Sequence, residues 1–133
     1  MSDRCYVRLQ CHEKDRRLFE EAGFEMQDQD GDVCEMVDEE ADYGNNSELR
    51  EIAARGVPFF GFSDASIEYG PAAFCGDGRK YLEVDTTESG HLLVLVDEDG
   101  DPIGTSVRDV KAFIAARRRA YRLIGADLAE EPE

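Results

Sequence analysis

Asp28, Asp30 and Asp32 stand at alternate positions, and Glu39 follows further along the same acidic stretch. These are the first, third, fifth and twelfth places of an EF-hand calcium loop, whose alternating carboxylates and final bidentate glutamate wrap a hard cation. The count fails at the sixth place, where the sharp turn needs glycine and the chain has Val33. A second acidic turn, with Asp97, Glu98, Asp99 and Asp101, meets Arg108 at its twelfth place and fits less well. Neither turn is expected to be a metal site. The chain also lacks Cys-x-x-Cys, His-Glu-x-x-His, Gly-x-Ser-x-Gly and a phosphate-cradling glycine loop, so no cofactor is expected.

Nucleophilic chemistry would need a thiol or hydroxyl beside a base. The histidines are His12 and His91, and the most exposed-looking thiol is Cys75, in the glycine-rich hairpin Phe74-Cys75-Gly76-Asp77-Gly78. Cys75 and His91 would meet if their strands adjoin, but no third group stands at a recognisable spacing to orient the base. A pocket between the sheet and loop 63–71, using Cys75, His91 or Glu68, is therefore the alternative reading: a small enzyme or small-molecule-binding domain.

The same carboxylates have a different use as a charged row. Same-side positions along a strand lie roughly 6.7 Å apart, so a line of acids can imitate the regular charges of a phosphate backbone. Asp28, Asp30, Asp32, Glu35, Asp38, Glu39, Glu40 and Asp42 form the first such patch, and Asp97, Glu98, Asp99 and Asp101 the second. The expected function is a non-catalytic inhibitor that binds a basic, nucleic-acid-handling protein and blocks it. By size and charge alone its company is that of the anti-CRISPR and anti-restriction proteins. An immunity-type protein neutralising a basic toxin would have the same charge.

The totals support this emphasis. The chain has 133 residues, with 31 acids against 15 bases and a net charge of −16. Six bases (Arg108, Lys111, Arg117, Arg118, Arg119 and Arg122) fall in one C-terminal stretch, leaving residues 1–107 with 9 bases against 26 acids. Such a body repels nucleic acid and anionic membranes and draws basic proteins in from about a Debye length, roughly 8 Å at physiological salt. Direct nucleic-acid binding and membrane association are thus not expected, and the protein is read as a monomer or dimer. An environmental origin of the acidity, salt adaptation or a GC-rich genome, fits the three lysines and twelve arginines equally. The arginine cluster spreads over more than half of a helix circumference, so part of it must snorkel or pair with acids of the body.

The elements follow from periodicity. Residues 4–11 alternate as a half-buried strand, with Cys5, Val7, Leu9 and Cys11 on one side. A short helix over 12–22 ends at Gly23, and a hairpin turns at Asp30-Gly31-Asp32. Residues 38–43 read as an acidic connection. Ser47 caps a second helix through Arg55, and 57–62 is a buried strand with Pro58 at its start. This β-α-β-β-α-β order resembles the split βαβ arrangement of ferredoxin-like folds, which implies topology and no function. A second hairpin, 72–75 with 81–86, turns at Gly76-Asp77-Gly78. His91–Val96 is the most apolar segment and is expected to be a central strand. The last helix starts after Thr105 or Ser106, buries a stripe of Val107, Val110, Ile114, Tyr121 and Ile124, and stops near Gly125.

The class is therefore α+β: one domain over 1–125, mainly antiparallel, with three helices, followed by an acidic tail at 126–133. Turn-rich loops at 43–46 and 68–71 present Tyr43 and Tyr69 as contact anchors. The cysteines are expected to be reduced thiols, since a chain of this size holds a core without staples. With no apolar run long enough to span a bilayer and no signal segment, a cytoplasmic location is expected.

Overall fold

The computed structural model describes residues 4–42, 46–64, 71–103 and 106–125. The first strand, β1 (Arg4–His12), alternates as its sequence dictates, and Val7, Leu9 and Cys11 are buried on one side. His12 ends it by accepting the Lys14 N–H on Nδ1 at 3.0 Å, which starts one 3-10 turn (Glu13–Asp15) leading into α1 (Arg16–Glu21). Gly23 closes that helix at φ 105°, a conformation a side chain would strain.

The hairpin of β2 (Glu25–Asp30) and β3 (Val33–Asp42) pairs Asp30 with Val33, so Gly31 and Asp32 form its two-residue turn. Residues 38–42, expected as a connection, continue β3 instead: they pair with β1 as far as Asp42 opposite Arg4. Strand pairing overrides the low strand propensity of a run of acids there. After α2 (Asn46–Ala54) come β4 (Phe59–Ser63), β5 (Ala72–Gly76) and β6 (Tyr81–Asp85). Asn46 is already helical, so Ser47 lies inside the first turn of α2 and is not its cap.

These six strands form one antiparallel sheet in the order β2-β3-β1-β4-β5-β6. β1 and β2 run the same way with β3 between them, which is the split βαβ arrangement, and β5 and β6 extend it beyond β4. Helices cover the sheet on both faces. α1 and α2 bury Phe19, Leu49, Ile52 and Ala53 against Val7, Leu9, Cys11, Met36, Phe59 and Phe74. Gly61 sits in register between Leu9 and Phe74, and a Cβ there would come within 2.7 Å of both side chains, so the phenyl ring takes the space a side chain would need.

On the other face lies α3 (Val107–Ile124), which buries Phe113, Ala116 and Ala120 against Ala73, Cys75 and Val84. Its start is a capping box, in which the Ser106 hydroxyl accepts the Asp109 N–H and the Asp109 carboxylate accepts the Ser106 N–H. Gly125 ends it at φ 84°. The buried stripe is centred on Phe113, Ala116, Ala120 and Ile124, and Val107 is exposed. Of the expected stripe, Ile124 is buried and Val110 packs at the cluster's margin, whereas its centre is supplied by Phe113 and two alanines.

The segment expected as a central strand is also different. Residues 91–94 join the sheet edge through the Thr86–Leu92 bridge and the Leu93 N–H to Asp85 O bond at 3.0 Å, and Leu92 packs at the margin of the α3 cluster. The chain then leaves β6 to form a separate two-stranded ribbon, β7 (Leu95–Val96) with β8 (Pro102–Ile103). An apolar run signals strand formation, but not which strand it will pair with. Among the described residues, no helix is long and apolar enough to cross a membrane.

Candidate functional site

The register decides which carboxylates share a surface. Directly opposed residues of an antiparallel pair lie on one face, so Glu25 opposite Val37, Asp28 opposite Glu35 and Gln10 opposite Glu35 place these groups together. Between Met26 and Asp28 the register slips by one residue. That bulge at Gln27 brings Glu25 onto the same face as Asp28 and Asp30. Glu25 was not singled out from the sequence, because its parity matches theirs only through the bulge.

This is the face that carries α3, but the helix packs across β4, β5 and β6 and meets β1 only at the border, so the β2–β3 half lies beyond it. Glu25, Asp28 and Asp30 are exposed and Glu35 is half-buried. Among the described residues no ion pair holds these four; the Asp28 carboxylate accepts only its neighbour's N–H, from Gln29 at 2.9 Å. β2 is also the sheet edge, where charge discourages the addition of a foreign strand.

Of the rest of the expected acidic row, Asp32 and Asp38 lie elsewhere. Asp32 lies in the turn, 3.9 Å from His12 Nε2. Asp38 is opposite Val7 and so points to the face covered by α1 and α2, where a Cβ added at Gly23 would come within 3.1 Å of its Oδ2. The side chains of Glu39, Glu40 and Asp42 lie outside the described residues, as do Glu68, Tyr69, Tyr43 and the tail 126–133.

Asp97, Glu98, Asp99 and Asp101 form the exposed tip of the β7–β8 ribbon. Asp97 Oδ1 accepts the N–H groups of Asp99 and Asp101 at 2.9 and 3.0 Å, an aspartate turn that fixes the loop. Carboxylate oxygens of Asp97, Asp99 and Asp101 lie within 4.8 Å of one another, and a hard cation placed there would take its remaining ligands from water.

The thiol reading fares differently. Cys75 is 0% exposed in the layer beneath α3, and burial, followed by the charge of Asp77, pushes its thiol up to about 12. It is the reverse of an exposed nucleophile, because the reactive form of a cysteine is the thiolate. Glycines around a cysteine suggest access, whereas the space a Cβ at Gly76 would need is taken by the Phe59 ring. His91 is exposed, and its backbone, not its ring, makes the turn contacts with Thr87. Cys11 and Cys34 face each other across β1 and β3 as buried free thiols, both raised chiefly by burial.

Two members of the arginine cluster are engaged by the body, while Arg118 and Arg122 are exposed. Arg119 donates to Asp77 Oδ2 at 2.7 Å, and Asp77 Oδ1 accepts the N–H groups of Arg79 and Lys80. Burial alone would raise the Asp77 carboxyl; the hydrogen bonds from Arg119, Lys80 and Arg79 outweigh it and hold the group below its ordinary value. Arg117 lies over the Phe113 ring at 5.3 Å. It also borders a groove of about 390 Å³ between α3 and β1, whose walls include Arg8, Glu35, Phe62, Asp64 and Tyr121. Neither Cys75 nor His91 lines it. No family model, curated protein or solved structure matches the chain.

Proposed function

We propose that this chain is a non-catalytic acidic interaction protein that binds a basic, nucleic-acid-handling protein and occludes its nucleic-acid groove. The observation that carries this reading is the β2–β3 half-face: Glu25, Asp28, Asp30 and Glu35 lie on one side, beyond α3, with no ion pair among the described residues. Asp28 and Asp30, two residues apart on β2, have the same-side spacing of roughly 6.7 Å that suits a groove built to grip successive phosphates. Two of the helix arginines are engaged elsewhere, Arg119 with Asp77 and Arg117 over the Phe113 ring. Inhibitors of CRISPR effectors and restriction enzymes are the functional class that such a surface fits.

The test is displacement. The protein, added to a panel of CRISPR effectors and restriction enzymes, should release bound DNA from one of them at low salt and lose potency steeply as salt rises. The combined variant Glu25→Lys, Asp28→Lys, Asp30→Lys and Glu35→Lys should lose the inhibition and its salt dependence. Equal inhibition by that variant, or no displacement of DNA at any salt, overturns the proposal.

A second reading, a small-molecule-binding domain, is favoured by the groove beside α3, where aromatic walls and both signs of charge meet. Ligand there would shift the amides of β1 and α3 and leave β2 untouched.

A further inference from the structure

The β7–β8 ribbon combines two properties that rarely coexist on a strongly acidic surface. Leu95 and Ile103 are directly opposed and share one side of it, while Val96 and Pro102 share the other. Leu95, Val96 and Ile103 are 52%, 55% and 53% exposed, and Val107 at the start of α3 adds a fourth large exposed apolar side chain within the same short stretch. The Leu95–Ile103 pair makes one side of the ribbon apolar, and exposed apolar groups gathered on one side of a surface mark a contact site. A ribbon of two short strands is also marginal by itself in water, and both of its edges offer unpaired backbone groups to an added strand. Pro102 lies in the non-hydrogen-bonded pair with Val96 and turns its donor-less nitrogen to the outer side of β8, so the outer edge of β7 is the fuller template for an added strand.

The charge around it selects the occupant. Asp97, Glu98, Asp99 and Asp101 form the tip, and no base lies between Leu92 and Val107. A second copy of the chain would bring another net charge of −16 against this one, and an acidic partner would meet the same repulsion. We infer that the β7–β8 ribbon is a docking surface for an extended segment of another protein in which apolar and basic residues alternate. The segment adds along the ribbon, its apolar side chains covering Leu95 and Ile103 and its Lys or Arg side chains reaching the carboxylates of the tip. The apolar centre with a charged rim follows the usual anatomy of a protein interface. This surface uses no residue of the β2–β3 half-face, so the two stand or fall separately.

The chain contains no tryptophan, so a probe peptide carrying one reports by its own fluorescence. The probe is a synthetic peptide of alternating Lys and Val with a single Trp, titrated into the full chain, with amide chemical shifts recorded in parallel. Expected are shifts concentrated in residues 92–103 and an affinity that falls at least tenfold in the double variant Leu95→Ser, Ile103→Ser. Glu98→Gln with Asp99→Asn should weaken binding severalfold, and a peptide with Glu in place of Lys should not bind. Both sets of substitutions are at exposed positions, so the fold is kept. The variant reversed at Glu25, Asp28, Asp30 and Glu35 should bind the peptide as the parent does, even where it has lost inhibition of a nucleic-acid-handling protein. Three results would overturn the inference: undiminished affinity in the Leu95→Ser, Ile103→Ser variant; shifts spread equally over the ribbon and β2; or a free chain that sediments as a dimer with the ribbon amides protected from exchange.

Discussion

Two halves of one sheet face hold carboxylates for different ends. Beneath α3, Asp77 is 1% exposed, is gripped by Arg119 and by two backbone N–H groups, and joins the β5–β6 turn to the helix. Beyond the helix, Asp28, Asp30 and Glu35 meet no cation among the described residues, and Asp28 stands directly opposite Glu35. A buried carboxylate survives only when its lone pairs are satisfied, and once they are it acts as a structural joint. An exposed and uncompensated carboxylate contributes little to stability and a great deal to the field. Identical chemistry therefore separates into structure and surface according to what the fold places next to it.

The contrast can be broken most forcefully from the covered side. Phe113→Ala empties the centre of the α3 layer, where the ring is fully buried. Loss of a buried phenyl costs about 3–5 kcal/mol, so urea unfolding should show a much lower midpoint with an unchanged slope. Asp77→Ala comes next. It strands the Arg119 guanidinium and the N–H groups of Arg79 and Lys80. Arg119 is 44% exposed and can reach water, so the expected loss is about 2–3 kcal/mol, below the full cost of breaking a buried pair.

The Asp77 contribution also has a pH signature. Its folded carboxyl lies below the ordinary value of 3.8, so the unfolded chain takes up this proton first as pH falls. The stabilisation is complete above the ordinary value and is lost as pH drops through the lowered folded one. The stability gap between the parent and Asp77→Asn should therefore be constant at neutral pH and narrow below 3.8, as followed by urea unfolding across that range. A gap that stays constant down to strong acid would mean that Asp77 is not the ionised partner of Arg119.

How much of this division was legible in the sequence depends on the kind of signal. The class, the strand sequence up to β6, both main hairpins, the Ser106 cap and the Gly125 stop follow from period and turn chemistry, which are local. What failed was non-local. Whether Glu25 lies beside Asp28 depends on a bulge at Gln27, and a shift of one residue exchanges the faces of a strand. Asp38 is on the helix-covered face because it pairs with Val7, which no property of residues 38–42 announces. Asp77 went unnoticed as a structural acid, although Asp-Gly in a hairpin turn and an arginine-rich helix were both visible. Their meeting depends on which sheet face receives α3.

The smallest effect is the sharpest test of the open side. Asp28 and Glu35 are like charges directly opposed across a strand pair, an arrangement that costs rather than contributes, by about 0.2–1 kcal/mol. Asp28→Asn keeps the shape and the acceptor for the Gln29 N–H while removing one charge. It should therefore raise stability by a few tenths of a kcal/mol at low ionic strength, on the order expected for such a pair. The gain should vanish at about 1 M salt, where the Debye length of roughly 3 Å is shorter than the separation of the two groups. Asp30→Asn, opposite Val33, lacks a facing acid and should gain less. Urea midpoints for the two variants at low and high salt measure both differences. A net loss of stability in Asp28→Asn at low salt would mean that its carboxylate is held by a cation, and the two halves of the face would no longer differ in kind.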